Sequence, residues 1–258
     1  MRYFVHCGYN GFSYRGWQRQ PRVITVQEVI EKTFLSVLKT PVNCIGCGRT
    51  DAMVHAIQYF FHFDYFEELP ADLTFKLNKT LPDDVAIFEI IPVKSYPHAQ
   101  FGATMRTYSY FIHTYKDPFL STRSSYYPLP NRSIDKMQQA AALLLKYDNY
   151  TAFCRSPLKV KSSICNITVA QLLVNPSGNK LLFQISSKRF LQGMVRLIVI
   201  RLIDIGIGKL SIDEFESYLM GVNKPQKNNA AYPQGLYLSK VVYPFLDIQQ
   251  RTDFGAVF

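Results

Sequence analysis

No run of eighteen apolar residues occurs anywhere in the 258-residue chain, and no basic-then-apolar leader follows Met1. A membrane-spanning helix and a secretory signal are therefore not expected, and a soluble, cytoplasmic protein is. No basic amphipathic helix stands out, which argues against work at a membrane surface. Metal-ligand spacing is missing as well. Cys44 and Cys47 form one C-x-x-C, but neither a second C-x-x-C nor a His-x-x-x-His completes a tetrahedral site, and the five histidines are scattered. No metal is expected, which disfavours a metal-dependent hydrolase. The odd set of Cys7, Cys44, Cys47, Cys154 and Cys165 does not build a disulfide framework, so all five read as reduced, mostly structural thiols. Acidic residues are few beside basic ones, 19 against 29, leaving a net charge of +10. That imbalance points to a polyanionic partner.

What is present is an apolar fraction of 48%, which marks a globular chain, at a length that fits one large domain or two small ones. The 17 tyrosines and 19 phenylalanines suit base stacking and, more commonly, a β-rich core. Along the first half, Arg2 to Tyr9 reads as a strand. Thr25 to Leu38 reads as a helix opened by a Thr25/Glu28 capping box. Val42 to Ile45 and Ile57 to Asp64 read as strands, Ala71 to Thr80 as a helix, and Val85 to Pro92 as a strand. The order β-α-β-β-α-β is that of a ferredoxin-like unit.

The second half repeats it. Ala103 to Tyr115 is a strand with Tyr108, Tyr110 and Ile112 alternating. Ser133 to Leu145 is a helix, and Ser163 to Val174 and Lys180 to Ser187 are strands about the turn at Pro176-Ser177-Gly178. Phe190 to Ile203 and Ile212 to Met220 are helices, and Gly235 to Tyr243 is a closing strand. The expected fold is α+β: two ferredoxin/RRM-like halves, residues 1–97 and 98–258. Their antiparallel sheets would merge into one platform with helices behind and a central cleft on the open face. Long loops are expected over Lys116 to Asn131 and Asn223 to Gln234.

One segment stands apart. In Gly46-Cys47-Gly48-Arg49-Thr50-Asp51, two glycines precede a cation and an anion two residues apart. Glycine permits tight bends and close backbone approach, so a carboxylate on such a turn can reach a bound substrate at a strand end. A plain turn with a solvated Arg49/Asp51 pair is the rival reading. Upstream, Arg15, Arg19 and Arg22 with Tyr14 and Trp17 form a candidate phosphate-binding patch, with a solvated basic face as its rival.

The run GCGRTDAMVHA resembles the catalytic segment of the TruA-type tRNA pseudouridine synthases, G-x-G-R-T-D-A-G-V-H-A. The resemblance continues in order through Tyr9-Asn10-Gly11, Gly16-Trp17-Gln18-x-Gln20-Pro21 with Thr25-Val26-Gln27, and Leu77-Asn78-x-x-Leu81-Pro82. It goes on through His98-Ala99-x-Phe101 with Arg106-x-Tyr108-x-Tyr110, Phe190-Leu191-x-x-Met194-Val195-Arg196, and Gly235-Leu236-Tyr237-Leu238 with Tyr243-Pro244. It implies a cofactor-free isomerase that forms pseudouridine in the anticodon arm of tRNA and works as a homodimer. By position, Asp51 falls on the catalytic aspartate, Tyr108 on the tyrosine that stacks on the target uracil, and Arg196 on the arginine paired with the aspartate. Arg49 falls on the arginine linked to base flipping and Leu238 on a wall of the uracil pocket. Trp17, Gln18 and Arg106 lie in motifs placed on the RNA side. Met53 stands where the family keeps glycine, Gln100 where it keeps arginine, and Leu197 and Ile200 replace a polar and a glycine position. The alternative is an RNA-binding paralogue with an altered substrate, another tRNA site or another RNA, or two RRM-like halves that bind RNA without catalysis.

Neutralising Arg15, Arg19 and Arg22 together is expected to weaken RNA binding and to flatten its dependence on salt concentration. A binding titration repeated at several ionic strengths checks this, and an unchanged slope counts against the patch.

Overall fold

The computed structural model describes residues 1–225 and 229–248. In chain order the elements are β1 (Arg2–Tyr9), α1 (Val26–Leu38), β2 (Ile45–Gly46), β3 (His55–Asp64), α2 (Leu73–Thr80), β4 (Val85–Val93), β5 (Met105–His113), β6 (Ser125–Tyr126), α3 (Ile134–Leu143), β7 (Ile167–Val174), β8 (Lys180–Ser187), α4 (Met194–Gly206), α5 (Ile212–Leu219) and β9 (Leu236–Val242). The protein is α+β. It divides into two compact units, one holding residues 1–104 and the described residues from Tyr237 onward, the other Met105–Leu236.

In the first unit β1 lies antiparallel between β3 and β4. The far edge of β3 is shared. β2 pairs antiparallel with it at His62 and Phe61, and β9 pairs parallel at His55 and Ala56. From Tyr237 on, the strand expected to close the second half belongs to the first unit, whose N-terminal part runs to Thr104. The physical reason is the shortness of β2, which leaves the backbone groups at the start of β3 to be satisfied by another strand. β1 and β3 are buried almost throughout, which is why they read as near-continuous apolar runs instead of alternating ones.

Helix α1 starts where the capping box puts it. The Thr25 side chain accepts from the Glu28 amide, and Lys39 closes the helix at φ 59 with its amide on the Leu35 carbonyl. Val42 to Cys44, expected as strand, are not. Cys44 donates its amide to the Glu31 carboxylate at 3.1 Å and accepts from the Gln27 amide group at 3.0 Å. Side chains of α1 therefore take the hydrogen bonds that a ladder would have used.

In the second unit β8 lies antiparallel between β5 and β7, and β6 adds two parallel residues to β5. The β7–β8 hairpin turns at Gly178 (φ 71), with the Asn175 side chain accepting from the amides of Asn179 and Lys180. β7 begins at Ile167 rather than Ser163, because the Ser163 carbonyl is taken by the Tyr150 amide. α4 begins at Met194 after Gly193 in the left-handed region, four residues later than the apolar run suggests. Its buried residues lie on nearly every side, and it packs on α3, where Gly206 lets Met137 approach. Of the loop expected over Asn223 to Gln234, residues 226–228 lie outside the described set.

His62 on β3 is buried, stacked on Phe4, with its Nδ1 accepting the Ala99 amide at 3.1 Å. Burial, then the positive charge of Arg2, pushes its pKa down from 6.5 to about 4. The unfolded chain binds this proton first, so stability is full above about 6.5 and is lost as pH falls from there towards 4. The His62→Asn variant retains an acceptor for Ala99 and does not titrate. Thermal melts between pH 7.5 and 4 are expected to show a flatter profile for it, and parallel profiles would refute the assignment.

Candidate active site

The loop from Gly46 to Val54 is held from below by β3 and from the side by residues 9–17. A Cβ on Gly46 would lie 2.1 Å from the Tyr59 hydroxyl and 2.5 Å from Trp17 Nε1. Glycine is required there because Trp17 seats in that space, 4.1 Å from Tyr59 between ring centroids. The Cys47 amide donates to the Phe60 carbonyl, and the Tyr59 hydroxyl donates to the Gly48 carbonyl. Thr50 receives the Trp17 amide on its carbonyl at 3.3 Å, and its hydroxyl meets the Tyr9 hydroxyl at 2.8 Å. A Cβ on Gly16, at φ 92, would be 2.4 Å from that same Thr50 carbonyl. Two chain segments are thus in backbone contact on either side of Asp51.

Past Asp51 the chain turns sharply. The Val54 amide returns to the Asp51 carbonyl at 3.2 Å, and Met53, third residue of the turn, sits at φ 64. Ala52 is not at positive φ, so this is a type II turn, whose third position ordinarily selects glycine. The Met53 amide donates to the Tyr14 carbonyl at 3.0 Å, which helps to hold the residue there. Asp51, Ala52 and Met53 are half-buried and Arg49 is exposed.

Of the upstream cluster, Arg15, Gln18, Arg19 and Arg22 are exposed. Trp17 is only 3% exposed, so its ring supports the loop from within. Tyr14 is buried as well, its hydroxyl donating to Asp84. Arg19 reaches Glu31 at 3.4 Å, and the same carboxylate holds Cys44. Cys44 and Cys47 are buried free thiols, and burial raises the Cys44 pKa well above its usual range. Among the described residues no three His, Cys, Asp or Glu side chains gather as a metal site. Leu238, on β9 opposite Ala56, is buried, and its neighbour Tyr237 stacks on His55 at 4.4 Å.

Tyr108, Arg106 and Arg196 lie in the second unit, apart in the chain from the Asp51 loop of the first. Tyr108 is half-buried on β5, with Phe190 edge-on to it at 5.0 Å. Arg106 donates to the Lys188 carbonyl at 2.7 Å. On the first turn of α4, Arg196 is bound reciprocally to Ala231: its Nε donates to the Ala231 carbonyl at 2.7 Å, and its own carbonyl accepts the Ala231 amide at 3.0 Å.

Three tyrosines complete that attachment. The Tyr110 hydroxyl meets Ser125 Oγ and the Tyr232 carbonyl, each at 2.8 Å. The Tyr127 hydroxyl accepts the Tyr232 amide, and the Tyr127 and Tyr232 rings stack at 5.1 Å. Burial raises the pKa of both Tyr110 and Tyr127, keeping them neutral hydrogen-bonding groups. The sequence marks Tyr110 as a strand aromatic and as part of a family motif but gives it no role, and Tyr127 and Tyr232 carry no signal, since nothing in their spacing tells that they meet.

A family model described as tRNA pseudouridine synthase matches residues 140–244. A tRNA pseudouridine synthase A of Porphyromonas gingivalis is 39% identical over 248 residues, covering 94% of this chain and 97% of the relative. One of Parabacteroides distasonis is 40% identical, covering 94% and 96%. One of Bacillus licheniformis is 32% identical, covering 94% and 99%.

A non-glycine residue in the left-handed region costs about 1–2 kcal/mol, and a β-branched one is worse placed than methionine. Met53→Gly is therefore expected to raise the melting temperature slightly and Met53→Val to lower it, the two differing by at least ~1 kcal/mol. Identical thermal or denaturant midpoints for the two variants would show that the turn carries no strain.

Proposed function

The chain belongs to the TruA-type tRNA pseudouridine synthase family, and we propose that it converts uridine to pseudouridine in the anticodon stem-loop of tRNA, with Asp51 as the reacting carboxylate. The relatives that cover nearly the whole chain carry this reading. The loop geometry supports it, since a turn locked on both sides sets a carboxylate at one place without a long flexible arm.

The reaction breaks the bond between uracil N1 and ribose C1′, rotates the base, and joins C5 to C1′. The proton lost from C5 is balanced by one gained at N1. No atom is added and no electron is transferred, so no cofactor is needed. Asp51 acts ionised, as a nucleophile or as a countercharge to the sugar. In this reading Arg196 pairs with Asp51. A guanidinium there directs the carboxylate by charge-assisted hydrogen bonds, and the Ala231 contact fixes the direction of Arg196 itself.

The target nucleotide leaves its helix to react. Arg49, exposed beside Asp51, takes part in extruding it, and Tyr108 stacks on the freed uracil, a contact worth about 1–3 kcal/mol per base. Leu238 forms an apolar wall of the pocket. Arg15, Gln18, Arg19, Arg22 and Arg106 engage the RNA backbone, with Trp17 supporting that surface from beneath. The finer architecture belongs to the same reading: two ferredoxin-like halves, sheets joined into one platform with a central cleft, and a homodimer spanning one tRNA.

Incubation with tRNA tritiated at uracil C5 tests the proposal. Wild type is expected to release tritium, and Asp51→Ala to lower the rate by more than about a thousandfold while tRNA affinity changes little. Tight binding by the wild type without any release would replace the isomerase with a non-catalytic RNA-binding protein.

A further inference from the structure

Between Asp148 and Asp204 the chain contains no acidic residue. Within that stretch Arg155, Lys159, Lys161, Lys188 and Arg189 are all exposed, and none makes an ion pair with a carboxylate among the described residues. This differs from the upstream cluster, where Arg19 already has Glu31. The first three lie on or beside a loop whose apex is a single tight turn, Pro157–Lys159. At that apex Leu158 is 100% exposed.

The loop is pinned at both ends. The Arg155 amide donates to the Gln192 carbonyl at 3.0 Å, and Arg189 Nη2 donates to the Ser162 carbonyl at 3.0 Å. A Cβ at Gly193 would touch Arg155 Cβ at 3.5 Å, so the loop root lies against the entry to α4, one turn before Arg196. At the other side Lys188 is tied through its carbonyl to Arg106, two residues before Tyr108 on β5. The cations thus occupy the margin of the same unit that carries Tyr108 and Arg196.

We infer that this loop and the Lys188–Arg189 pair form a tRNA clamp, the cations holding phosphates and Leu158 pressing on a ribose or unstacked base. The inference rests on the tRNA-modifying reading above. Uncompensated like charges repel one another, and a polyanion removes that repulsion while releasing its own counterions. A scattered surface leucine needs no explanation, but one at the tip of a cation-flanked turn whose loop is pinned at both ends has the form of the apolar wedges that nucleic-acid-binding proteins press against bases. A lipid surface would need a broader apolar face than one side chain. A protein partner is the other class of occupant, and the test below discriminates against it.

The experiment measures binding of the full chain to an unmodified tRNA transcript between roughly 50 and 200 mM KCl, with tritium release in parallel. Lys159→Gln with Lys161→Gln is expected to weaken binding and to reduce the slope of log K against log[salt] by about 1.4–1.8, the amount for two lost phosphate contacts. Leu158→Ser is expected to weaken binding several-fold with the slope unchanged, raising KM far more than it lowers kcat. Affinity and slope equal to wild type in both variants would overturn the clamp, and so would a fall in kcat without any change in affinity. Wild type that binds tRNA but releases no tritium would remove the isomerase reading and still leave the clamp to be judged by the binding slopes.

Discussion

Backbone contact between residues 9–17 and the 46–55 segment is the constraint on which the first unit's site depends. It is a contact in which side chains have no room. Gly11 lies where a Cβ would meet the Val54 carbonyl at 1.9 Å, Gly16 meets Thr50, and Gly46 makes space for Trp17 and Tyr59. Hydrogen bonds from Trp17 and Met53 and the Tyr9–Thr50 pair then close the seam. Asp51 stands on a loop whose two sides are both spoken for, so its position follows from the packing of a strand, a turn and a helix start. The same seam reaches α1, since the amides of Val26 and Gln27 bond the carbonyls of Gly16 and Trp17. Placement of Asp51 and core formation are one event here.

The second unit solves a similar problem without glycine. Arg196 on α4 is fixed by a loop carbonyl and returns the bond through its own. That loop is in turn held by Tyr110 and Tyr127. Hydroxyls buried among aromatic rings satisfy backbone groups that would otherwise be costly to bury. A cation on a nearly all-apolar helix is thereby given one orientation, which a solvated arginine would lack.

Composition and periodicity made much of this legible. The capping box at Thr25 and Glu28, the hairpin at Pro176 to Gly178, and the alternation in β5 each reflect interactions between near neighbours in sequence, and the elements appear where those signals stand. The boundaries moved wherever a distant group intervened. Val42 to Cys44 are not strand because Glu31 and Gln27 claim Cys44. The strand at Leu236–Val242 pairs with β3 because β2 is too short to cover that edge. Trp17, grouped by sequence with exposed arginines, turned inward because Gly46 leaves it a cavity.

The sequence by itself pointed to a polyanionic partner through its charge, determined the family through an ordered set of motifs, and marked Asp51 as the residue to watch. It also marked Met53 as the departure in that loop. Only the tertiary structure decided what the departure means: the turn demands a positive φ at that position, and methionine occupies it while its amide is held by Tyr14. It alone decided, too, that Tyr127 and Tyr232 serve Arg196's loop. Motifs record which residue types are needed along the chain. Close approach, hydrogen-bond claims and backbone sign depend on what folding brings alongside, and no local pattern contains that.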